Sequence, residues 1–424
     1  MSGARIVVTG VGAISPLGLS AQRHFEGLTA GASAVETLDD SAYRRYPPIL
    51  RAVVRDFDRR AFVPDRMLRK LLSPSPAFAL AAAAEALRDA GLAGTDLTEC
   101  GLYAGSVCLD ADPEAFIPAL RESVDANNSL DLCRFATHGI KLVDPLFLVK
   151  SLPNAGLCAI AIQHQVLGPN ANITNGSVSG LQAVIAAMEA LRRGDAEVAL
   201  AGGYDSLLRM DSIVDHLLAG RLAGNHMPPM EACRPFDRRR CGYALAEGAA
   251  FLVLETPERA NRRHAAIYGD VLTTGQSAVA RNLLDRTPHD EGLTACARQA
   301  LGANCGAREV DLVLGDGLAN ADDDERELYA YRTLFPDTRV PFSVFTGSFG
   351  FPGAAAGAFS LVHAMLAMRH GVIPPMINCD EPVAAAAGVD LVSKARPAQP
   401  RRVLVWTSDR GIKNAAVLAA ALEG

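Results

Sequence analysis

Near the middle of the chain stands ANITNGSVSGLQAV, residues 171–184. A strand-like segment runs to Asn175, Gly176 makes a tight turn, and Ser177 opens a helical pattern. A side chain at a helix N-terminus meets free N–H groups and the positive end of the helix dipole, which suits a nucleophile or an oxyanion. A serine hydroxyl is weak there unless a base adjoins it. The strained elbow of serine hydrolases needs Gly two residues to either side, and here Asn175 and Ser179 occupy those places.

Other reactive residues point less clearly. The run Asp322-Asp323-Asp324-Glu325 lacks Ca²⁺-loop spacing and reads as a solvated helix start, so no metal is expected. Gly10-Val-Gly12 opens like a dinucleotide fingerprint, but the third glycine and the downstream acid are missing, so no cofactor is expected. The nine histidines are scattered with no H-x-x-x-H pair and read as surface or structural. The nine cysteines are dispersed with no C-x-x-C, as reduced intracellular thiols are.

The elements that must hold these residues alternate. Strand patterns fall at Ile6–Val8, Gly101–Tyr103, Asn172–Thr174, Val198–Ala201 and Ala250–Leu254, with helical patterns such as Pro76–Leu87 between them. After Ser177, Leu181, Val184, Ile185, Met188 and Leu191 recur at helical spacing until Gly194. The pattern restarts with strands at Tyr268–Thr273, Leu312–Gly315, Phe342–Val344 and Val403–Thr407 and helices at Glu325–Thr333 and Ala355–Arg369. That implies an α/β chain in two halves, 1–256 and 257–424. The 424 residues, 49% hydrophobic, can bury a large core. A net charge of −6 argues against non-specific nucleic-acid binding, and no apolar run reaches the length of a membrane span.

Several stretches together carry a resemblance. They are VVTGVGAISPLG (7–18), PNAGLCAIAIQHQVLGPN (153–170), GDAEVALAGGYDS (194–206), RPFDRRRCGYALAEGAAFLVLE (234–255) and GVIPPMIN (371–378). The chain resembles the β-ketoacyl-acyl carrier protein synthases of the thiolase fold. The resemblance implies a duplicated five-layered α/β/α/β/α core and a dimer whose sheets pair across a two-fold axis.

It also implies four catalytic side chains: an acyl-accepting Cys, two His that assist decarboxylation, and a Lys that orients them. None stands in this chain. Ser177 holds the Cys position, Asp316 the first His, Phe351 the second and Thr346 the Lys. A second register puts Ser348 at the second His, again without an imidazole. The family's Gly-Phe-Gly-Gly gate reads Asp409-Arg410-Gly411-Ile412. Acid–base assistance is worth about 10²–10⁴-fold, so loss of the thiolate and both imidazoles leaves negligible condensation.

The resemblance is therefore closest to a chain length factor, the catalytically degenerate subunit of type II polyketide systems, with a slight lean towards the aryl polyene type. Such a subunit is cytoplasmic, forms a heterodimer with an active ketosynthase, receives chains from acyl carrier protein, completes the partner's acyl tunnel and limits product length. Val107, Cys108, Phe147 and Leu148 match the stretches that wall that tunnel. The alternative is an enzyme, with Ser177 as an acyl-transfer or hydrolytic nucleophile beside Asp316 and a histidine from elsewhere. A malonyl decarboxylase and a structural homodimer are further readings.

Overall fold

The computed structural model describes residues 5–39, 46, 48–107, 113–224, 226–281, 291–302 and 305–422. Its strands are β1 (Ile6–Ile14), β2 (Val35–Thr37), β3 (Leu50–Ala52), β4 (Gly101–Gly105), β5 (Asn170–Ile173), β6 (Val198–Ser206), β7 (Leu245–Glu255), β8 (Gly269–Ala278), β9 (Leu312–Leu314), β10 (Pro341–Ser343), β11 (Val372–Ile373), β12 (Asp390–Leu391), β13 (Arg396–Pro397), β14 (Arg402–Asp409) and β15 (Lys413–Ala420). The helices of nine residues or more, among the described residues, are α1 (Ala21–Thr29), α2 (Pro74–Asp89), α3 (Ala155–His164), α4 (Ser179–Arg193), α5 (Met210–Leu218), α6 (Glu291–Leu301), α7 (Ala321–Leu334) and α8 (Ala356–His370).

The strand order exposes a duplication. The first half runs β5-β4-β6-β7-β1 and the second β10-β9-β14-β15-β8, with β12 added outside β10. Numbered within its own half, each reads third, second, fourth, fifth, first. In each, three parallel strands lead to an antiparallel pair. A short antiparallel contact of β1 with β8, Ile6 to Val271 through Val8 to Gly269, joins the halves. α2 covers β1, β6 and β7 on one outer face, and α6 covers β8, β14 and β15 on the other. Between the sheets α4 packs on α8. Leu181, Val184 and Met188 of α4 join Phe359, Val362 and Leu366 of α8 in one buried cluster. The layers are therefore α/β/α/β/α, the thiolase-like arrangement.

Several strands outrun their sequence patterns. β1 runs through Gly10 and Gly12 to Ile14. A Cβ at Gly10 would lie 2.3 Å from the Ala86 carbonyl, and one at Gly12 2.1 Å from that of Ala82. The glycines let α2 lie against the strand. β6 likewise extends past Ala201 through Gly202 and Gly203. Among the described residues no helix is long and apolar enough to cross a membrane.

Two histidines tie the halves together. His24 of α1 and His363 of α8 are buried, with their Nε2 atoms 2.6 Å apart, and His24 Nδ1 lies 2.6 Å from Ser15 Oγ. Phe345, Phe349 and Phe359 surround the pair. Burial lowers His24 from 6.5 to about 3, and burial then the neighbouring His24 holds His363 well below its ordinary value. Both rings are neutral in the fold, whereas the unfolded chain takes up protons below pH 6.5. Their contribution is thus complete above that pH and falls as the pH drops, by about 1.4 kcal/mol per histidine per unit. Denaturant midpoints should fall between about pH 7.5 and 5.5, and more steeply than in a His24→Gln/His363→Gln variant. Equal slopes would show that the pair does not set the acid sensitivity.

Candidate functional site

The turn before α4 is built from close backbone contacts. Gly176 adopts φ +73°, and a Cβ there would lie 1.9 Å from Asp409 Oδ2. Ser179 Oγ accepts from the Asn175 amide at 2.8 Å and donates to the Gly176 carbonyl at 2.6 Å, closing the turn. Ser177 is buried, and its Oγ donates to the Ser408 carbonyl at 3.3 Å. That acceptor is an amide oxygen, which does not take a proton from a hydroxyl.

Asp316 follows β9. Its Oδ2 accepts from the Ser408 amide at 2.7 Å and Thr407 Oγ1 at 3.1 Å, while its Oδ1 has no partner. Burial, then the neighbouring Glu327, pushes its carboxyl well above its ordinary value, which weakens it as a carboxylate base. Glu327 fastens this corner by accepting from the amides of Asp316 at 2.9 Å and Gly317 at 2.7 Å and from Trp406 Nε1 at 2.6 Å. Thr346 is fully buried and donates to the Asp316 carbonyl. Phe351 is buried with its ring centroid 5.0 Å from that of Tyr243. Ser348, the alternative for the second His, is buried too.

The acidic run does begin α7, but it is not solvated as its composition implies. Asp324 is fully buried and accepts from the Phe236 amide at 2.8 Å and the Ala319 amide at 3.0 Å. Asp323, also buried, pairs with Arg326 at 3.0 Å and with Arg221. These carboxylates tie the loop after β9 to the segment around Arg234.

A cavity of about 250 Å³ opens at Ser177. Val107, Phe351, Asp409 and Arg410 line it with Ser177; Asp316, Thr346 and Phe147 do not. Gly411, at φ +69°, shares the turn of Asp409 and Arg410. The sequence reading missed His216, which α5 brings to this wall from a segment with no motif around it. Its Nδ1 lies 2.8 Å from Tyr243 Oη, and burial lowers it to about 4, so it is neutral at pH 7. Phe147 begins a short helix, Phe147–Ser151, that also contains Leu148, and its ring meets that of Phe116 edge-on at 4.3 Å. Cys108 lies outside the described residues. Among the described residues no group of three His, Cys, Asp or Glu side chains is placed to hold a metal, and the described cysteines are free thiols.

The beta-ketoacyl synthase N-terminal domain model matches residues 3–260, and the C-terminal domain model residues 268–380. The chain belongs to the beta-ketoacyl synthase family. It is 29% identical over 383 residues to a 3-oxoacyl-(acyl-carrier-protein) synthase 2 of Coxiella burnetii, covering 89% of each chain. It is 29% identical over 423 residues to the actinorhodin polyketide putative beta-ketoacyl synthase 2 of Streptomyces coelicolor, covering 97% of this chain and 98% of that one. Among solved structures, the ishigamide ketosynthase/chain length factor superposes with a TM-score of 0.86 at 25% identity, over 99% of this chain and 100% of that one.

In this ketosynthase-family chain the turn geometry makes a direct prediction. Gly176→Ala places a methyl group against Asp409 at a positive φ, and should destabilise by more than about 1 kcal/mol. Ser177→Ala, which removes one hydrogen bond to a carbonyl, should cost about 1 kcal/mol or less. Thermal unfolding of the two variants measures the contrast, and equal losses would contradict the turn described.

Proposed function

We propose that the chain is a non-catalytic chain length factor of type II polyketide biosynthesis, a class that includes the aryl polyene pathways. It pairs with an active ketosynthase, completes that partner's acyl tunnel in the cytoplasm and sets product length. The seam between its halves lies at 256/257. One observation carries this reading. Ser177 sits where the family's nucleophile belongs, yet its hydroxyl is bonded to a backbone carbonyl. The two positions for imidazoles hold a carboxyl turned to Ser408 and a phenyl ring. The relatives named for polyketide synthesis and for a ketosynthase/chain length factor support the same reading.

The surface supports a partner of the same fold. Among the described residues β5 is an edge strand, paired on one side, to β4. Beside it in sequence, Leu132, Ile140, Leu142, Val149, Ile162 and Leu167 are exposed. An open edge with apolar neighbours is a pairing surface. Leu146 and Val149, also exposed, flank Phe147 and Leu148, which supports a contact of this helix with the partner; Val107 and Cys108 are proposed as the other part of the tunnel wall from the resemblance alone.

A second reading keeps Ser177 as an acyltransferase or hydrolase nucleophile acting on acyl carrier protein thioesters. Its support is His216, a neutral imidazole on the same cavity wall.

Co-expression with the pathway's intact ketosynthase should give a 1:1 complex by sizing and mass measurement, and a stable monomer that ignores that partner would refute the pairing. In the complex, Ser177→Ala and His216→Phe should leave product formation within about twofold of the parent, whereas losses of about 10²-fold or more would favour the serine enzyme. Phe147→Ala removes bulk from the tunnel wall, and carrier-bound products should lengthen by mass spectrometry. An unchanged distribution in an intact complex would reject Phe147 as the stop.

A further inference from the structure

The short helix Phe147–Ser151, which the proposed function places at the tunnel wall, is too short to hold itself in place. Leu152, Pro153 and Asn154 join it to α3. Neither helix is capped by the side chain at its own N-cap, Leu146 for the first and Asn154 for α3. Helix ends without such caps take their hydrogen-bond partners from elsewhere.

The partner comes from β6. Tyr204 is fully buried, and its ring shares one apolar cluster with Leu157 and Ile160 of α3. Its hydroxyl accepts from the Gly156 amide at 3.0 Å, which supplies the cap that Asn154 does not. The same hydroxyl donates to the Pro153 carbonyl at 2.6 Å. One phenol thus uses its donor and an acceptor lone pair on the two sides of a single bend. Tyr204 and Gly156 fit as a pair, because a Cβ on Gly156 would lie 2.5 Å from the ring. Ser106, which follows β4, donates to the same Pro153 carbonyl and accepts from Asn172 Nδ2 of β5 at 3.4 Å. The bend is therefore bound to the ends of three strands. By contrast, the Lys150–Asp144 ion pair across the Phe147 helix is a surface pair, of the kind that holds little.

We propose that Tyr204 is a positioning residue for the chain-length wall: its hydroxyl fixes the Pro153 bend and, through it, where the Phe147 helix stands. This rests on the chain length factor reading, and it adds a residue that lies behind the wall rather than in it. Without the hydroxyl, the Pro153 carbonyl keeps only its bond from Ser106, and the Gly156 amide loses a buried acceptor. The helix then samples more than one position, so the stop becomes less sharp. Removing bulk from Phe147 lengthens the products, whereas loosening its support broadens their distribution.

The test has two arms. Tyr204→Phe keeps the ring against Gly156 and removes only the hydroxyl. In the purified chain, in whichever assembly it forms, hydrogen–deuterium exchange of residues 144–157 should become several-fold faster, with exchange in α2 and α4 unchanged. Gly156→Ala, which displaces the ring while the hydroxyl remains, should have the same local effect. In the complex with the pathway's ketosynthase, Tyr204→Phe should spread the carrier-bound products over neighbouring chain lengths, read by mass spectrometry, with the yield of complex unchanged. Unchanged exchange in both variants would overturn the inference whatever the products do. A product distribution that shifts with Phe147→Ala but not with Tyr204→Phe would overturn the positioning role alone. A distribution moved by neither variant would overturn the tunnel reading on which it rests.

Discussion

Three stretches of backbone meet behind Ser177 with no room for a side chain between them. A Cβ on Gly180 would lie 2.5 Å from the Ala354 carbonyl, and one on Gly203 2.7 Å from the same oxygen. Gly180 opens α4, Gly203 lies in β6, and Ala354 precedes α8 in the other half of the duplication. This contact locks the start of α4 against both halves at once. The turn of Gly176 and Ser177, the position of Phe351 and the floor of the cavity all follow from it. Close-packed interiors absorb little added volume, so the fold fixes this geometry whatever side chain stands at position 177.

On the reading proposed above, what differs is chemistry laid over an intact frame. Glu327 still receives the amides of Asp316 and Gly317, and Asp324 still receives those of Phe236 and Ala319. These buried carboxyls hold the loop where an imidazole would be useful. The loop carries Asp316, whose carboxyl burial pushes well above its ordinary value, and the facing segment carries Phe351. The proposed chain length factor role asks only for this scaffolding, because its value would lie in shape and in the surface it offers a partner.

Much of this was legible in the sequence. The turn at Gly176, the helix ending at Gly194 and the restart of the alternation are local signals, because each depends on residues a few positions apart. The glycine-containing end of β6 was not, since Gly202 and Gly203 are glycine to admit a backbone passing from elsewhere. The burial of Asp324 was hidden for the same reason: its partners, Phe236 among them, are distant in sequence. His216 had no motif and entered only when α5 was placed beside Tyr243 and Phe351. The assignment of Ser177, Asp316, Phe351 and Thr346 to the family's catalytic positions rests on the resemblance alone, and how the hydroxyl of Ser177 is spent came only from the structure.

The central claim is that acyl groups never reside on this chain. The direct measurement is the intact mass of each subunit after the co-purified complex is incubated with acyl-loaded carrier protein and quenched in acid. The account predicts an acyl adduct on the ketosynthase partner alone, with this chain at its unmodified mass. An acyl ester on this chain that maps to Ser177 would contradict it.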